Sequence, residues 1–249
     1  MDYISFSDFL LEKKDNPSRI HRFKLNTRGR DYVVGDIHGA FNHLLSELTT
    51  IGFNFDNDRL FSVGDLINKG EDSHLAQEWL HSDWFYSVRG NHEDHFISEF
   101  AKTTNTGLVN IRNKGGTWFL QLTYDKQQEF INTLKKMPIA IEVETNTGLI
   151  GILHGSVPVG DWEDLNKELK VSNSVRTTVW EREEIDNHFK SKKDSSIKFE
   201  PKKVKNIDQI YLGHTPVNKP VKIKNRNYID TGGTFHKSRR GYFTIIQIN

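Results

Sequence analysis

The chain has 249 residues, of which 35% are hydrophobic and 27% are charged, and its formal net charge is +1. This composition is typical of a soluble α/β domain or sandwich, and the balanced charge argues against a nucleic-acid or membrane-surface binder. The chain contains no cysteine. Disulfides, thiolate metal ligands and catalysis by a thiol are therefore excluded, and we expect a reducing, cytoplasmic location.

Two parts of the chain differ in character. Residues 1–30 are polar and mixed, with a short amphipathic piece around Phe6, Phe9 and Leu10, and we interpret them as an N-terminal extension. The start lacks the pattern of a secretory signal, and no apolar stretch approaches the roughly 18 residues of a membrane span. From Asp31 onwards the pattern is that of a folded unit, and we assign 31–249 to one domain.

Three strand–loop–helix units begin the domain. The apolar runs DYVV, RLFSV and WFYSV each lead into a glycine-bounded loop and then into a segment with helical spacing of apolar residues. This rhythm predicts βαβ crossovers and a sheet that is at least partly parallel. Beyond Pro138 the pattern indicates further strands, in IAIEV, LIGIL, DQIYLG, RNYID and GYFTIIQI. The segment VWEREEIDNHF is predicted to be helical, and residues 188–206 are predicted to form a solvated, lysine-rich loop.

Polar side chains follow the ends of five predicted strands. In chain order they are Asp36 and His38, Asp65, Asn91 and His92, His154, and His214. Because ligands of an α/β sheet bind at the carboxyl ends of its strands, we expect these side chains to converge.

The set without His92 contains three imidazoles, two carboxylates and one amide. That is too many ligands for one tetrahedral zinc ion and suits two adjacent divalent ions, with Asp65 able to bridge them. Each signal alone is weak, because a single histidine at a strand end is more often a structural hydrogen-bonding group. Five such motifs in order leave little room for a purely structural explanation.

The ordered motifs GDIHG, GDLINKG, GNHE, HG and GHT resemble those of the phosphoprotein phosphatase branch of the calcineurin-like metallophosphoesterases. The segments SVGDL, VWERE, GHTPVNKP and YIDTG extend the resemblance, in particular to the lambda-type phage and bacterial serine/threonine phosphatases. The similarity runs from about Asp31 to the end of the chain. It implies an α/β fold, a β-sandwich flanked by helices.

The resemblance also implies a ligand set for two divalent ions, for which Mn²⁺ is the usual choice in such bacterial enzymes. The first ion would be bound by Asp36, His38 and Asp65. The second would share Asp65 and be bound by Asn91, His154 and His214. A hydroxide between the two ions would attack phosphorus directly, without a covalent phosphoenzyme.

The remaining residues would act on the substrate. The resemblance implies that the substrate is a phosphoprotein or phosphopeptide, and we expect neither a nucleic-acid nor a membrane partner. His92 would be the general acid that protonates the leaving serine or threonine oxygen. Phosphate would be bound by Lys69, Arg182 and Asn91. Arg89 is interpreted as structural, and Asp230 either orients a metal-binding histidine or serves a turn.

One loop departs from the family pattern, since GDLINKG stands where relatives have GDxVDRG. Asn68 replaces the aspartate that contacts the general acid, and the loss of that negative charge is expected to lower the pKa of His92. Lys69 replaces an arginine and loses the planar, bidentate contact with phosphate. We therefore predict either slower hydrolysis of alkyl phosphomonoesters than in relatives or a preference for substrates with better leaving groups.

Three functions remain in competition. The resemblance favours a serine/threonine protein phosphatase. A symmetrical dinucleoside tetraphosphate hydrolase shares the GDIHG, GNH and GHTP-like motifs, although VWERE favours the phosphatase. The third possibility is a phosphate-binding pseudoenzyme, motivated by Asn68 and Lys69 and opposed by the complete ligand set.

Overall fold

The computed structural model describes residues 19–102, 105–238 and 241–249, so the amphipathic piece at residues 6–10 lies outside the described part. The strands of the described residues are β1 (Ile20–Phe23), β2 (Asp31–Val34), β3 (Arg59–Ser62), β4 (Phe85–Ser87), β5 (Ala140–Thr145), β6 (Gly148–Ile152), β7 (Gln209–Leu212), β8 (Val221–Ile223), β9 (Arg226–Tyr228) and β10 (Ile245–Gln247).

The α-helices of the described residues are α1 (Phe41–Thr50), α2 (Ala76–Leu80), α3 (Asn91–Phe100), α4 (Asn105–Asn113), α5 (Thr117–Leu120), α6 (Tyr124–Lys136), α7 (Leu165–Glu168), α8 (Ser172–Trp180) and α9 (Glu183–Lys193). Short 3-10 helices lie at Ser73–Leu75, Trp162–Asp164 and Gly233–Ser238. None of the helices in this part of the chain has the length and apolar character that a membrane span needs.

Two sheets pack face to face. The four-stranded sheet has the order β10-β2-β3-β4, in which β2, β3 and β4 are parallel and β10 is antiparallel. The six-stranded sheet has the order β1-β5-β6-β7-β9-β8 and mixes both directions. Buried side chains of both sheets, among them Val33, Phe61, Ile141 and Ile152, form the core between them. The predicted crossovers and partly parallel pairing are confirmed.

Helices cover the outer face of each sheet. Phe41, Leu44 and Leu48 lie on one stripe of α1 and are fully buried against the four-stranded sheet, together with apolar residues of α2 to α6. On the other side, Trp162, Leu165 and neighbouring apolar residues pack on the six-stranded sheet. The predicted fold class, an α/β sandwich flanked by helices, is confirmed.

Strand β1 lies within the stretch that the sequence assigned to an N-terminal extension. It pairs in parallel with β5 at the edge of the six-stranded sheet, and Ile20 is 2% exposed. Asn26 bonds to the carboxylate of Asp31, and Arg30 bonds to that of Asp58. Residues 20–30 are thus connected to the sheets, and the four-residue strand IHRF was too short and too polar to be predicted.

Two local predictions need correction. The segment VWEREEIDNHF was expected to be one helix, but α8 ends at Trp180 and α9 begins at Glu183, so that Arg182 lies in the break. Residues 188–206 were expected to form a loop throughout, but the first of them complete α9. Acidic residues in the first turn of α9 and lysines in its last turn match the helix dipole, which stabilises a helix there despite its high charge.

Candidate metal centre

The carboxylate of Asp65 stands between two groups of potential metal ligands. Its Oδ2 lies 3.4 Å from Nε2 of His38, and its Oδ1 lies 3.3 Å from Nε2 of His154. Two sets of donor atoms within 4.8 Å of one another therefore share this residue: His38, Asp65 and His92, and Asp65, His154 and His214. A carboxylate with one oxygen towards each set has the geometry of a bridging ligand.

Asn91 completes the second set. Its Oδ1 lies 3.0 Å from Nε2 of His154 and 2.7 Å from Nδ1 of His214. One amide oxygen and two imidazole nitrogens thus point at a common position, which Asp65 also faces. Asn91 is the first residue of α3, directly after Gly90, so the helix start fixes this side chain.

Asp36 lies beside the first set. Its Oδ2 lies 3.8 Å from Nε2 of His38, and both carboxylate oxygens lie 3.2 Å from the backbone N–H of His214. The structure therefore brings together all six predicted ligands, although Asp36 and His214 are 178 positions apart. The convergence was expected at one sheet. Instead the ligands come from both sheets. They follow β2, β3 and β4 in the four-stranded sheet and β6 and β7 in the six-stranded sheet.

Each of the three histidines is held by a backbone carbonyl on the ring nitrogen that faces away from the other ligands. Nδ1 of His38 lies 3.1 Å from the carbonyl oxygen of Ile67, and Nδ1 of His154 lies 2.7 Å from that of Val63. Nε2 of His214 lies 2.9 Å from the carbonyl oxygen of Trp180. A carbonyl accepts only from N–H, so it fixes the tautomer that leaves the inward nitrogen with a free lone pair.

The backbone at the site is strained. Among the described non-glycine residues, positive φ angles occur at His38, Asp65, Asn68, Lys69, Asn206, His214 and Lys224. Five of these seven belong to the predicted site. Left-handed backbone costs about 1–3 kcal/mol at such residues and persists where the surrounding structure enforces it, as it does at functional sites.

Buried negative charge is concentrated at this place. Burial, and then the charges of Asp230 and Asp65, raise the pKa of Asp36 well above its usual range. Burial also opposes ionisation of Asp65, but the neighbouring charges of His154, His92 and His38 hold its pKa below the usual range. Carboxylates crowded in a buried site are costly unless cations compensate them, so the site suits divalent ions.

Two of the histidines stay neutral at physiological pH. Burial lowers the pKa of His38 to about 3, and burial with the nearby His154 and Arg182 lowers the pKa of His214 to about 3. A histidine binds a metal ion only in its neutral form, so these environments prepare both rings for that role.

Glu93 is a residue of this site that the sequence analysis missed. It is fully buried, and its two oxygens accept hydrogen bonds from the backbone N–H groups of Gly90, Asp65, Leu66 and Ile67. Burial, with the charge of Asp65, raises the pKa of Glu93 to about 8. The side chain thus ties the loop after β3 to the start of α3. The glutamate half of a capping box, with Glu three residues after the N-cap Gly90, was the available signal.

His92 faces the metal site from α3. Its Nδ1 lies 2.9 Å from Nδ2 of Asn68, and its Nε2 lies 3.9 Å from Oδ2 of Asp65. Burial lowers the pKa of His92, and the charges of Lys69, His154 and Lys114 act in the same direction. Lys114, exposed at the end of α4, is a second residue near the site, and no motif in the sequence marks it.

Asn68 itself is fully buried, and its Oδ1 has no hydrogen-bond partner among the described residues. The amide can take two orientations beside the histidine, which exchange the positions of its oxygen and its nitrogen. With the amide turned over, Oδ1 would accept from a protonated Nδ1 of His92, which is the contact that an aspartate makes.

The two predicted phosphate-binding cations both lie on histidine nitrogens. Nζ of Lys69 lies 2.6 Å from Nε2 of His38, and Nε of Arg182 lies 2.9 Å from Nε2 of His214. Both side chains are exposed on their other sides. Arg89, by contrast, donates to the carbonyl oxygen of Lys135, at the end of α6, and its other terminal nitrogen lies 3.9 Å from the carboxylate of Asp94. Asp230 accepts from the backbone N–H of Gly232, which fits its turn interpretation.

Two clefts adjoin these cations. One, of about 450 Å³, is lined by Lys69 together with Asn42, His43 and Asp72. The other, of about 460 Å³, is lined by Glu181 and Glu183 on either side of Arg182, and by Ser156 after the His154 loop. Lys69 thus lines the first cleft directly, whereas Arg182 itself does not line the second.

Comparison with known proteins agrees with this geometry. The family model described as calcineurin-like phosphoesterase matches residues 31–233. Serine/threonine-protein phosphatase 1 of Salmonella typhimurium is 32% identical over 208 residues, which cover 82% of this chain and 87% of that protein. The symmetrical bis(5'-nucleosyl)-tetraphosphatase of Erwinia tasmaniensis is 31% identical over 132 residues, covering 52% of this chain and 46% of that one.

A solved protein serine/threonine phosphatase from Saccharomyces cerevisiae has the same fold, with a TM-score of 0.56 at 12% identity, covering 94% of this chain and 84% of its own. The resemblance stated from the motifs is confirmed by these matches, which span most of the chain. The protein therefore belongs to the calcineurin-like phosphoesterase family.

Proposed function

We propose that this protein is a metal-dependent phosphoprotein phosphatase that hydrolyses phosphoserine and phosphothreonine monoesters. The observation that carries the proposal is the carboxylate of Asp65, with one oxygen towards His38 and the other towards His154. The Salmonella typhimurium phosphatase supports the choice of substrate, because its similarity extends over 82% of this chain. We assign the activity to a single catalytic domain that comprises residues 31–249 together with strand β1, which belongs to the six-stranded sheet.

The residues of the site fit two divalent ions, and Mn²⁺ is the ion we propose. Asp36, His38 and Asp65 would hold the first ion. Asp65, Asn91, His154 and His214 would hold the second. When bound, such ions lower the pKa of water and neutralise charge on phosphoryl oxygens. The buried carboxylates and the carbonyl-fixed tautomers support this assignment.

His92 is the proposed general acid. Its Nδ1 is engaged by Asn68, whereas its Nε2 faces the Asp65 side of the site. Nε2 is therefore the atom that can give a proton to the leaving serine or threonine oxygen. Asn68 acts as a positioning residue, because it holds the ring in place without contacting the substrate.

Lys69, Arg182 and the amide nitrogen of Asn91 are the proposed phosphate ligands. Nε2 of His38 has one lone pair, so a metal on that nitrogen would release the ammonium of Lys69. A metal on Nδ1 of His214 would leave the proton on Nε2, which donates to the carbonyl oxygen of Trp180 and cannot accept from Arg182. Both cations would then turn to the phosphate, where bidentate contacts favour the guanidinium.

The test is a pair of parallel assays with Mn²⁺, one on a phosphoserine peptide and one on diadenosine tetraphosphate. We expect turnover of the peptide, at a higher kcat/KM than that of the nucleotide. Preference for the nucleotide would favour the tetraphosphatase, for which the Erwinia tasmaniensis relative gives a partial match. Two bound ions without turnover of either substrate, or of para-nitrophenyl phosphate, would indicate a phosphate-binding pseudoenzyme.

A further inference from the structure

The last turn of α8 contacts the loops that carry both histidines of the proposed second metal site. The carbonyl oxygen of Thr178 accepts from the N–H groups of Gly155 and Ser156, directly after His154. The carbonyl oxygen of Trp180 lies 2.9 Å from Nε2 of His214. The end of one helix thus supports two ligands that come from different strands of the six-stranded sheet.

This helix end is joined to α3 by a side-chain bond. The indole Nε1 of Trp180 donates to Oδ2 of Asp94 over 2.8 Å. Asp94 lies in the first turn of α3, the same turn that carries Asn91. All three proposed ligands of the second metal apart from Asp65 are therefore connected through the contact between Trp180 and Asp94.

The same contact bears on Arg182. The chain leaves α8 at Trp180, and Arg182 follows two residues later, in the break before α9. A displacement of Trp180 would move both the carbonyl that orients His214 and the start of the segment that carries Arg182. His38 of the first site is held differently, because its carbonyl partner Ile67 belongs to the loop held by Glu93.

We propose that Asp94 and Trp180 form a positioning pair for the second metal site, which holds the end of α8 against α3 and so fixes His214 and Arg182. The inference rests on the metal assignment of the proposed function. Neither residue contacts the metal or the substrate. Their effect passes through the Trp180 carbonyl, which is the outer-shell partner of a ligand histidine.

The chain offers a matched control. The indole of Trp162 also donates to a carboxylate, that of Glu142 over 2.9 Å, and this tryptophan packs on the six-stranded sheet away from the proposed site. Trp180→Phe and Trp162→Phe therefore remove the same kind of bond. Both are expected to lower thermal stability, so a difference in metal binding between them reports on position and not on folding.

The experiment is calorimetric titration of the full, metal-depleted chain with Mn²⁺ alone. Wild type is expected to bind two ions. Trp180→Phe is expected to weaken one binding step about tenfold and leave the other unchanged, as loss of an outer-shell partner typically does. Trp162→Phe is expected to leave both steps at wild-type affinity. The proposal would be overturned if both Mn²⁺ affinities of Trp180→Phe equalled those of wild type, or if Trp162→Phe lost as much affinity as Trp180→Phe.

Variants of Asp94 sharpen the result. Asp94→Leu removes the acceptor and should weaken Mn²⁺ binding as much as Trp180→Phe does. If the two residues act as a unit, the double variant should bind Mn²⁺ no more weakly than the weaker of the two single variants. Asp94→Asn keeps an oxygen acceptor and loses the 3.9 Å ion pair with Arg89, so it should stay within about threefold of wild type. Additive losses of Mn²⁺ affinity in the double variant would contradict the proposed pair. A loss in Asp94→Asn as large as that in Asp94→Leu would also contradict it.

The two proposals fail separately. If wild type binds two ions and the variants behave as expected but no phosphopeptide is hydrolysed, the proposed function is wrong and the positioning pair stands. If the phosphopeptide is hydrolysed and Trp180→Phe binds both ions normally, the pair is wrong and the function stands. Binding of a single ion by wild type would overturn the pair together with the metal assignment.

Discussion

The proposed site has two halves that differ in how they are held. In the metal half, His38, His154 and His214 each contact a backbone carbonyl with one ring nitrogen and the other ligands with the other nitrogen. In the phosphate half, Lys69 and Arg182 lie on nitrogens of those same histidines, and Asn68 has a buried oxygen without a partner among the described residues. The first half is arranged for its proposed role, whereas the second has to rearrange.

The difference follows from what holds each half. The carbonyls of Val63, Ile67 and Trp180 belong to the backbone after β3 and at the end of α8, so they cannot move without disturbing the fold. Lys69 and Arg182 are long, exposed side chains whose orientation costs little to change. We therefore expect substitutions in the metal half to abolish activity and substitutions in the phosphate half to tune it.

The largest effect is expected for Asp65→Asn. Loss of an outer-shell partner already costs about 10–100-fold in metal affinity or activity, so loss of the bridging charge should lower kcat on a phosphoserine peptide by more than about 100-fold and reduce the Mn²⁺ content. Asp58→Asn is the control, because Asp58 is a buried carboxylate paired with Arg30 outside the site. If Asp65→Asn kept the metal content and the kcat of wild type, the bridging role proposed for Asp65 would be wrong.

His92→Asn should follow, with an effect that depends on the substrate. General acid catalysis contributes about 10²–10⁴-fold, so kcat on a phosphoserine peptide should fall within this range. The kcat on para-nitrophenyl phosphate should fall much less, since its leaving group needs little protonation. The metal content of the variant should equal that of wild type. The control is His95→Asn, one turn further along α3. Equal losses on both substrates would refute the proposed proton donor.

Asn68→Asp should change the pH dependence. Burial and neighbouring cations lower the pKa of His92, so its acid form is complete only below that pKa and is lost as the pH rises through it. The wild-type kcat on a phosphoserine peptide should therefore decline from a pH below 6.5, the usual value for histidine. An aspartate at position 68 adds an opposite charge, which should move this decline upwards by about one pH unit.

The matched control is Asn132→Asp, which adds the same charge to an exposed position of α6 and should leave the profile unchanged. Identical profiles for Asn68→Asp and wild type would mean that the contact of Asn68 with His92 does not govern the proton donor.

The smallest effect is expected for Lys69→Arg. The guanidinium restores planar contact with phosphate, and an exposed ion pair contributes about 0.2–1 kcal/mol, so the inhibition constant of inorganic phosphate should fall about two- to fivefold. Lys126→Arg, on the exposed face of α6, should leave it unchanged. Weaker phosphate binding by Lys69→Arg would contradict the role given to this side chain.

The sequence predicted that the six proposed ligands converge but not the contacts of Lys69 and Arg182, for physical reasons. Asp36, Asp65 and Asn91 each follow a buried strand, and a strand end fixes the position of the next side chains. The contacts of Lys69 and Arg182 depend on side-chain orientation, which no local pattern determines. The interruption between α8 and α9 was also missed, because VWERE contains neither glycine nor proline to mark it.

The pairing of strands that lie far apart in the chain could not be predicted from the sequence either. The alternation of apolar residues indicated strands but not that β10 joins β2, more than two hundred positions earlier, or that β6 and β7 belong to a second sheet. The short strand β8 was missed, and Glu93 was overlooked although its capping-box position was visible. Patterns in the sequence identified which side chains meet, whereas the arrangement of the sheets explains how they do so.

The central claim is that one carboxylate, Asp65, joins two metal sites. The most direct test is the number of Mn²⁺ ions bound per chain at saturation, measured for wild type and for His154→Ala, which removes a ligand from the second set only. The account predicts two ions for wild type and one for the variant. One ion in wild type, or two in the variant at unchanged affinity, would contradict it.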